Sequence, residues 1–216
     1  MSDGSSRSRR SVSPARCSLN VRRLAALFSL DSFAGGFVVQ AFLVFWFQRR
    51  FGATTEQMGL VFFGTGLLQA GSSIIAGWLG ARIGLLNTMV FTHLPSNAFL
   101  IAVPFAPSLP WAIVLLMCRS VLSQMDVPAR QAYVVTMVDP SERTAAAAYT
   151  NSARYLTRPL GPVGAGALMR VALSGPFVVA GGLKMIYDVI LYSTFRRAGI
   201  DAAPDVPAPE AKNEGV

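Results

Sequence analysis

Charged residues and cysteines are both scarce in this sequence. Only 14% of its 216 residues are charged, against roughly 25% in an average soluble domain. By contrast, 52% of the residues are hydrophobic and the mean hydropathy is +0.46. This composition excludes an intrinsically disordered chain and argues against a soluble enzyme. The two cysteines, Cys17 and Cys118, are too few for a disulfide framework.

Lysine is also nearly absent, because 17 of the 19 basic residues are arginine. The formal net charge of +8 could by itself indicate a nucleic-acid ligand. Most of the arginines, however, lie at the two ends of the chain and in short gaps between apolar runs. We therefore expect no nucleic-acid partner.

Catalytic and metal-binding motifs are absent as well. The sequence has no Walker loop, no HExxH pair and no G-x-S-x-G elbow. His93, the sole histidine, has no cluster of Cys, His or Glu around it. A nucleophile–base pair could come only from Ser123 or Ser152 with His93, and their spacing does not favour one. We expect neither an enzyme nor a bound metal or cofactor.

Long apolar runs occupy most of the chain. A hydrocarbon core of ~30 Å needs ~20 apolar helical residues. Six stretches meet this length: 24–47, 57–79, 85–105, 110–137, 145–169 and 176–195. A soluble protein of this size has too little polar surface to cover six such helices, and the alternation of barrel strands is missing. The predicted fold class is an all-α membrane protein with six transmembrane helices.

The two ends of the chain differ in composition from this membrane domain, which we place at residues 21–198. Residues 1–20 are rich in Ser and Arg and are predicted to be a disordered basic tail, not a secretory signal. Residues 199–216 are acidic and rich in Pro and Ala, and are predicted to be a second disordered tail.

The arginines of the short loops predict the orientation in the membrane. Six spans put both tails on one side, together with Arg82 and Arg143, whereas the other side holds Arg49, Arg50 and Arg170. The side with the tails carries more arginines in total. The positive-inside rule therefore places both termini in the cytoplasm.

Ionisable side chains inside the predicted spans are the candidates for a functional site. Each costs ~2.5–3.5 kcal/mol to insert unless a partner or a water-filled cavity receives it. His93 and Asn97 are four residues apart and share a helix face, and the same spacing lets Lys184 and Asp188 form either an intrahelical ion pair or part of a site. The candidates for a substrate or proton pathway are Asp31, His93, Asn97, Arg154, Arg158 and Asp188. The candidates for structural charge or gating are Arg82, Arg119, Asp126, Arg130 and Lys184.

Four of these residues suggest a chemical role. Asp31 and His93 are the candidates for proton coupling, because a carboxylate and an imidazole can both exchange a proton. Arg154 and Arg158 have no acidic partner on their own helix, so they would favour an anionic solute or neutralise Asp31. The alternative is that all of these groups are satisfied within the bundle.

Two of the predicted spans contain helix-breaking residues. In the fourth span a proline lies beside Asp126, which we expect to pair with Arg130 or with an arginine of the fifth span. Proline removes a helical hydrogen bond and glycine permits close helix contact. Such interruptions mark either moving, substrate-binding helices or simple tight packing. The residues concerned are Pro128, Pro159, Gly161 and Pro162.

Four segments of the sequence carry a resemblance to a known family. They are LDSFAGGFVVQAF (30–42), GWLGARIGLLNTMVFTHLPSN (77–97), SQMDVPARQAYVVTMVDPSERTAAAAYTNSARYL (123–156) and PFVVAGGLKMIYDVILYSTFRR (176–197). Together they resemble the carboxy-terminal six-helix half of a bacterial member of the major facilitator superfamily (MFS). The resemblance runs from about residue 21 to residue 197.

Two shorter signatures belong to the same resemblance. The loop after the second span resembles the glycine/basic signature of the superfamily at Gly77, Leu79, Arg82 and Gly84. It departs from that signature at Ala81, where the family has an acidic residue, and at Leu85 and Leu86, where the family has basic residues. The pair Gly161–Pro162 resembles the glycine-proline signature of antiporter fifth helices.

The resemblance implies a transporter of twelve helices in two halves, with the solute between them. This chain supplies six, so the expected function is gradient-driven transport of a small solute by alternating access, from a half-length chain in a bacterial inner membrane. The expected partners are the lipid bilayer, the solute, and either a second six-helix half or a second copy of this chain. The alternatives are a truncated, non-transporting membrane remnant and a structural membrane protein.

Overall fold

The structure is a computed structural model and describes residues 14–196. Within that range the chain forms nine α-helices and no β-strand, which confirms the all-helical part of the predicted fold class. The helices are α1 (Pro14–Gly36), α2 (Gln40–Phe51), α3 (Thr55–Ile83), α4 (Leu85–Ala102), α5 (Leu109–Ser123), α6 (Asp126–Thr136), α7 (Arg143–Thr157), α8 (Leu160–Val171) and α9 (Gly175–Phe195), with a 3₁₀ turn at Val103–Phe105.

The predicted tails fall mostly outside this range. Residues 1–13 and 197–216 lie outside the described residues, so both tails and the end of the membrane domain at residue 198 stay predictions. Residues 14–20, which the composition assigned to the first tail, form the beginning of α1.

Five helical segments are long and apolar enough to cross a membrane. They are Leu19–Phe51, Thr55–Ile83, Leu85–Phe105, Leu109–Thr136 and Gly175–Phe195, and each overlaps one predicted span. The predicted span at 145–169 falls instead on α7 and α8, which are 15 and 12 residues long. The crossing of the membrane by this sixth segment remains a prediction.

The helix breaks predicted from proline are present. Each break places a proline in the first turn of the next helix, where the backbone N–H groups have no intrahelical acceptor and proline therefore costs little. α6 begins at Asp126, so that Pro128 is its third residue. α8 begins directly after Pro159 and has Pro162 as its third residue. Gly161, expected among the breaking residues, is the second residue of α8 and so lies beside this break.

α1 crosses α8 at a pair of glycines. Gly36 ends α1, and a Cβ atom placed on Gly161 would lie 2.5 Å from the Cα atom of Gly36. Only residues without a side chain allow two helix backbones to approach so closely. α1 also runs along α7, where the Ser32 hydroxyl donates a hydrogen bond of 2.9 Å to the carbonyl oxygen of Arg154. The structure thus has close packing at this glycine, which is one of the two alternatives considered for the helix-breaking residues.

Two apolar clusters fill the bundle, one toward each end. Cluster A includes Leu24, Phe28, Met89, Tyr133 and Leu191. Cluster B includes Phe37, Trp46, Leu100, Leu116 and Phe177. Because α1, α4 and α9 each run from one cluster to the other, the residues halfway along these helices lie between two apolar layers. The candidate site occupies this middle layer.

Candidate functional site

Asp31 is the centre of a buried ionic network. It lies in the last third of α1, five residues before the helix ends at Gly36, and is 4% exposed. Lys184 of α9 donates a hydrogen bond of 2.5 Å from Nζ to Asp31 Oδ1, and Nη1 of Arg130 on α6 lies 3.2 Å from Asp31 Oδ2. A carboxylate this deeply buried requires charged partners. One aspartate therefore links three helices that are far apart in the sequence.

His93 and Asp188 extend the network behind Asp31. His93 Nδ1 lies 2.8 Å from Asp188 Oδ1, and His93 Nε2 lies 3.7 Å from Asp31 Oδ1. Asn97, one turn further along α4, donates a hydrogen bond of 3.1 Å to Asp188 Oδ2. The ring of Tyr187 packs edge-on against the imidazole of His93 at 6.0 Å. The imidazole is thus held between two carboxylates.

Asp126 and Arg130 form the ion pair that their spacing predicted. Nη2 of Arg130 contacts Asp126 Oδ2, one turn earlier in α6, which confirms the predicted pair. The same guanidinium reaches Asp31 and lies over the ring of Phe28 at 5.2 Å. Arg130 therefore serves two carboxylates, whereas the sequence suggested a partner for only one.

The intrahelical pair considered for Lys184 and Asp188 is not formed among the described residues. Although the two are one turn apart in α9, Lys184 points to Asp31 on α1 and Asp188 points to His93 on α4. Both are almost fully buried, with exposed fractions of 7% and 0%. The local pair is absent because α9 lies between α1 and α4, and each of these helices has a partner for one of the two residues.

A polar cavity of about 290 Å³ adjoins this network. Asp31, His93 and Lys184 form one side of it, and Ser123 and Gln69 line it from α5 and α3. The other basic residues of its wall are Arg119, Arg130, Arg154 and Arg158. The cavity therefore lies at the middle depth of the bundle, between clusters A and B.

Three of the cavity arginines have no ion pair within the described part of the chain. Asp31 and Asp126 are the two carboxylates of the cavity wall. Lys184 and Arg130 both contact Asp31, and Arg130 also contacts Asp126. Arg119 and Arg154 each keep a buried Nε atom without a hydrogen-bond partner, and Arg158 is exposed. The predicted absence of an acidic partner for Arg154 and Arg158 on their own helix extends to the rest of the described chain.

Not all of the predicted site residues meet at the cavity. Asn97 and Asp188 lie one layer behind it, in contact with His93. Arg82 is remote from it: it is exposed near the end of α3, with its guanidinium 4.4 Å from the centre of the Trp78 ring. The contact with an aromatic ring suits a charge at the surface of the bundle.

The nucleophile–base alternative is not formed. The Ser123 hydroxyl donates to the carbonyl oxygen of Ser120, its own helix neighbour. Ser152 is exposed. Within the described residues, the polar contacts of the His93 ring are to Asp31, Asp188 and Asn97.

Sequence reasoning overlooked several uncharged polar residues of the site. Gln69 of α3 accepts a hydrogen bond of 3.3 Å from Gln124 and lines the cavity with it. The sequence did contain a signal for Gln69, namely a glutamine inside a span that has no charged residue.

Pro95 lies inside α4 between His93 and Asn97. A proline there deprives α4 of one backbone hydrogen bond at the depth of the network.

Comparison with known proteins identifies the family. The model of the Major Facilitator Superfamily matches residues 24–214. The chain belongs to the major facilitator superfamily. The match confirms the resemblance stated above and identifies the helical bundle as that of a membrane protein of the MFS.

One relative of this MFS chain is the uncharacterized membrane protein YJR124C of Saccharomyces cerevisiae. The two are 28% identical over 182 residues, which cover 83% of this chain and 40% of the yeast protein. The chain therefore spans less than half the length of that relative. MFS members are generally transporters and not enzymes, and the family suggests that this chain takes part in the transport of a solute.

Proposed function

We propose that this chain carries the solute through the polar cavity of its middle layer, by alternating access and driven by a gradient. The observation that carries the proposal is the cavity of about 290 Å³ beside Asp31, His93 and Lys184, between two apolar clusters. Ionisable groups at this depth are costly in a membrane and typically line a pathway for a solute or an ion. A purely structural membrane protein has no need for such a cavity.

The proposal includes six membrane crossings and a partner for this half. Solute sites of such transporters lie between two bundles, so the cavity is expected to be completed by a second six-helix half or by a second copy of the chain. The bacterial inner membrane and the cytoplasmic termini belong to the same proposal.

The test of the transport pathway is water access to the cavity. Ser123→Cys, in a background with Cys17→Ser and Cys118→Ser, places a single thiol in the cavity wall. Membrane-impermeant maleimide is applied to sealed vesicles of each orientation. Alternating access predicts that the thiol reacts from both sides, because the cavity opens to each in turn. A thiol that reacts from neither side, or from one side alone, contradicts the proposal.

The matched control is Ile74→Cys in the same background. Ile74 is 80% exposed on α3, in a charge-free part of a membrane-spanning segment. A thiol there faces lipid and is not expected to react from either side. If the thiols at positions 74 and 123 are both labelled, the reagent has entered the bilayer. Only labelling at position 123 without labelling at position 74 supports the pathway.

Proton coupling through His93 is a second proposal, carried by the position of its ring between two carboxylates. The groups that face this ring are Asp31 on α1, Asn97 on α4, and Tyr187 and Asp188 on α9. Lys184 of α9, which bonds to Asp31, is the nearby cation that opposes a positive charge on the ring. A change of charge at His93 would alter its attraction to both carboxylates and so the balance of the two access states.

The measurement is the labelling of the Ser123→Cys thiol relative to a loop thiol, Ser141→Cys, between about pH 5 and pH 8. The loop thiol corrects for the reactivity of thiols themselves. We expect the ratio to change with pH in the parent and to become flat in His93→Gln. If the labelling ratio depends on pH in the same way in the parent and in His93→Gln, His93 has no role in proton coupling.

A further inference from the structure

We propose that the cavity binds a small anion whose carboxylate or phosphate group is held by Arg119 and Arg154. This inference rests on the proposed transport function and names the class of solute. Its basis is an imbalance of charge: the wall holds five basic side chains, including Lys184, but only two carboxylates. Asp188, behind His93, raises the number of nearby carboxylates to three and leaves an excess of cations.

The carboxylates are already occupied by other residues. Asp31 is contacted by both Lys184 and Arg130, Asp126 by Arg130, and Asp188 by His93 and Asn97. Three carboxylates cannot balance five basic groups, and Arg119 and Arg154 form no ion pair with any of them among the described residues. Within residues 14–196, the positive charge of Arg119 and Arg154 therefore has no carboxylate in an ion pair with it and is available to an anionic ligand.

Arg119 and Arg154 approach the cavity from different helices. Arg119 is on α5 and Arg154 on α7, and both line the cavity, each with a buried Nε that has no hydrogen-bond partner. Both side chains are half-buried, and a buried N–H without an acceptor is unfavourable. A planar guanidinium binds carboxylate or phosphate oxygens with two parallel hydrogen bonds, which would supply that acceptor. The exposed Arg158 adds a third cation to the wall.

The part of the cavity that this chain forms is small. A volume of about 290 Å³ corresponds to roughly ten water molecules at ~30 Å³ each. Inorganic phosphate or a short dicarboxylate fits this space within the chain itself. The second half of the transporter would complete the cavity and so determine whether a longer anion fits.

The charge of the cavity can be measured without knowledge of the solute. Ser123 lines the same wall, and its hydroxyl bonds only to its own helix, so Ser123→Cys removes no contact between helices. In the background without Cys17 and Cys118, the thiol is labelled with an anionic or a cationic methanethiosulfonate. The ratio of the two rates is divided by the same ratio for the loop thiol Ser141→Cys.

We expect the anionic reagent to be favoured at position 123 by roughly tenfold or more over the loop, because a cleft lined by one sign of charge concentrates the opposite ion. Arg119→Gln and Arg154→Gln should each lower this ratio, and Arg119→Lys and Arg154→Lys should restore it. The lysine variants separate a loss of charge from a loss of folding. If the parent protein shows the same ratio of anionic to cationic labelling at position 123 as at the loop position 141, the inference is wrong. If neither reagent reaches the thiol at position 123, the transport pathway itself is contradicted.

Occupancy is tested by protection of the same thiol. Inorganic phosphate or succinate should slow its labelling by an uncharged reagent, whereas choline and glycerol should not. The protection should be lost in Arg119→Gln and Arg154→Gln. Absence of protection by either anion, or equal protection by choline, would contradict anion binding in the cavity.

Discussion

Asp31 is held by two cations, Lys184 and Arg130, from helices that are far from it in the sequence. Its position inside an apolar run identified it as costly to insert and in need of a partner. The partner itself is 153 residues away, at Lys184, and nothing in the spacing of the sequence connects the two. Local spacing allowed an ion pair between Lys184 and Asp188 as one of two alternatives, because a spacing of four residues indicates a contact only within one helix.

The first prediction concerns this pair. Asp31→Asn should destabilise the protein strongly, because it leaves Lys184 buried without its carboxylate, and breaking one partner of a buried pair costs about 3–5 kcal/mol. Asp31→Asn combined with Lys184→Met should recover part of the loss, since no buried cation then remains from the pair. The measurement is thermal unfolding of the purified protein in detergent.

Arg82→Gln is the control for the first prediction. Arg82 is exposed and contacts an aromatic ring, not a carboxylate, so its loss should shift the unfolding temperature only slightly. The first prediction is contradicted if Asp31→Asn with Lys184→Met lowers the stability by as much as the two single variants added together. In that case Lys184 and Asp31 do not stabilise each other.

The second prediction concerns Arg130, which serves two carboxylates. Arg130→Gln should be more destabilising than Asp126→Asn, because the first deprives Asp126 and Asp31 of a cation and the second leaves Arg130 with Asp31. Exchange of the two residues, Asp126→Arg with Arg130→Asp, should restore little, since a carboxylate at position 130 would face Asp31. The measurement is again thermal unfolding, and full restoration by the exchange would contradict the shared role of Arg130.

At the scale of elements, composition located the helices and proline located their breaks. The run of apolar residues identified each membrane segment because about 20 of them are needed to cross the hydrocarbon. Pro128 and Pro159 marked the two interruptions because proline removes a backbone hydrogen bond and clashes with the preceding turn of a helix. Pro95, by contrast, lies inside α4 without ending it. The break in the first segment, between α1 and α2 at residues 37–39, has no proline and was not predicted.

The third prediction tests the crossing of α1 and α8. Gly161→Ala should lower both the yield of folded protein and its unfolding temperature, because the added Cβ would lie 2.5 Å from the Gly36 Cα atom and from the Phe33 carbonyl oxygen. Backbone atoms of a packed helix cannot move aside without separating the two helices. Yield and unfolding temperature are read from fluorescence-detected size exclusion in detergent.

Gly166→Ala provides the matched control for this prediction. It lies in the same helix, and a Cβ there would meet nothing within 4 Å. Alanine is the better helix former by about 0.5–1 kcal/mol, so this variant should be as stable as the parent or more so. Equal behaviour of the two variants would mean that the glycine crossing is not a constraint.

At the scale of the whole molecule, the order of layers could not be derived from the sequence. The candidate residues were identified one at a time, by depth along separate helices. Their assembly into one network depends on which helices are neighbours, and here α1 packs against α7 and α9, and α4 against α5, α6 and α9. That arrangement is set by tertiary packing, for which a single sequence contains no direct signal.

The last prediction concerns the path of the whole chain through the membrane. The loops after α3 and after α6 lie at the cluster A end with the first described turns of α1 and the end of α9, whereas the loops after α2 and after α8 lie at the cluster B end. The arginine bias predicts that the cluster A end faces the cytoplasm. Reporter fusions after Phe51 and Pro107 should therefore indicate the outside, and fusions after Gly84 and Ser141 the inside.

A fusion after Leu173 distinguishes six crossings from five. If α7 and α8 together cross the membrane despite their break, the reporter is outside, on the same side as the one after Phe51. The expectation of an outside position rests on the packing of both helices: α7 along α1, and α8 against α1 and α9. Since α1 runs from cluster A to cluster B, a pair of helices that follows it must also reach the cluster B end. A reporter after Leu173 on the same side as the one after Ser141 would mean that this pair re-enters, and the six-helix half would have to be abandoned.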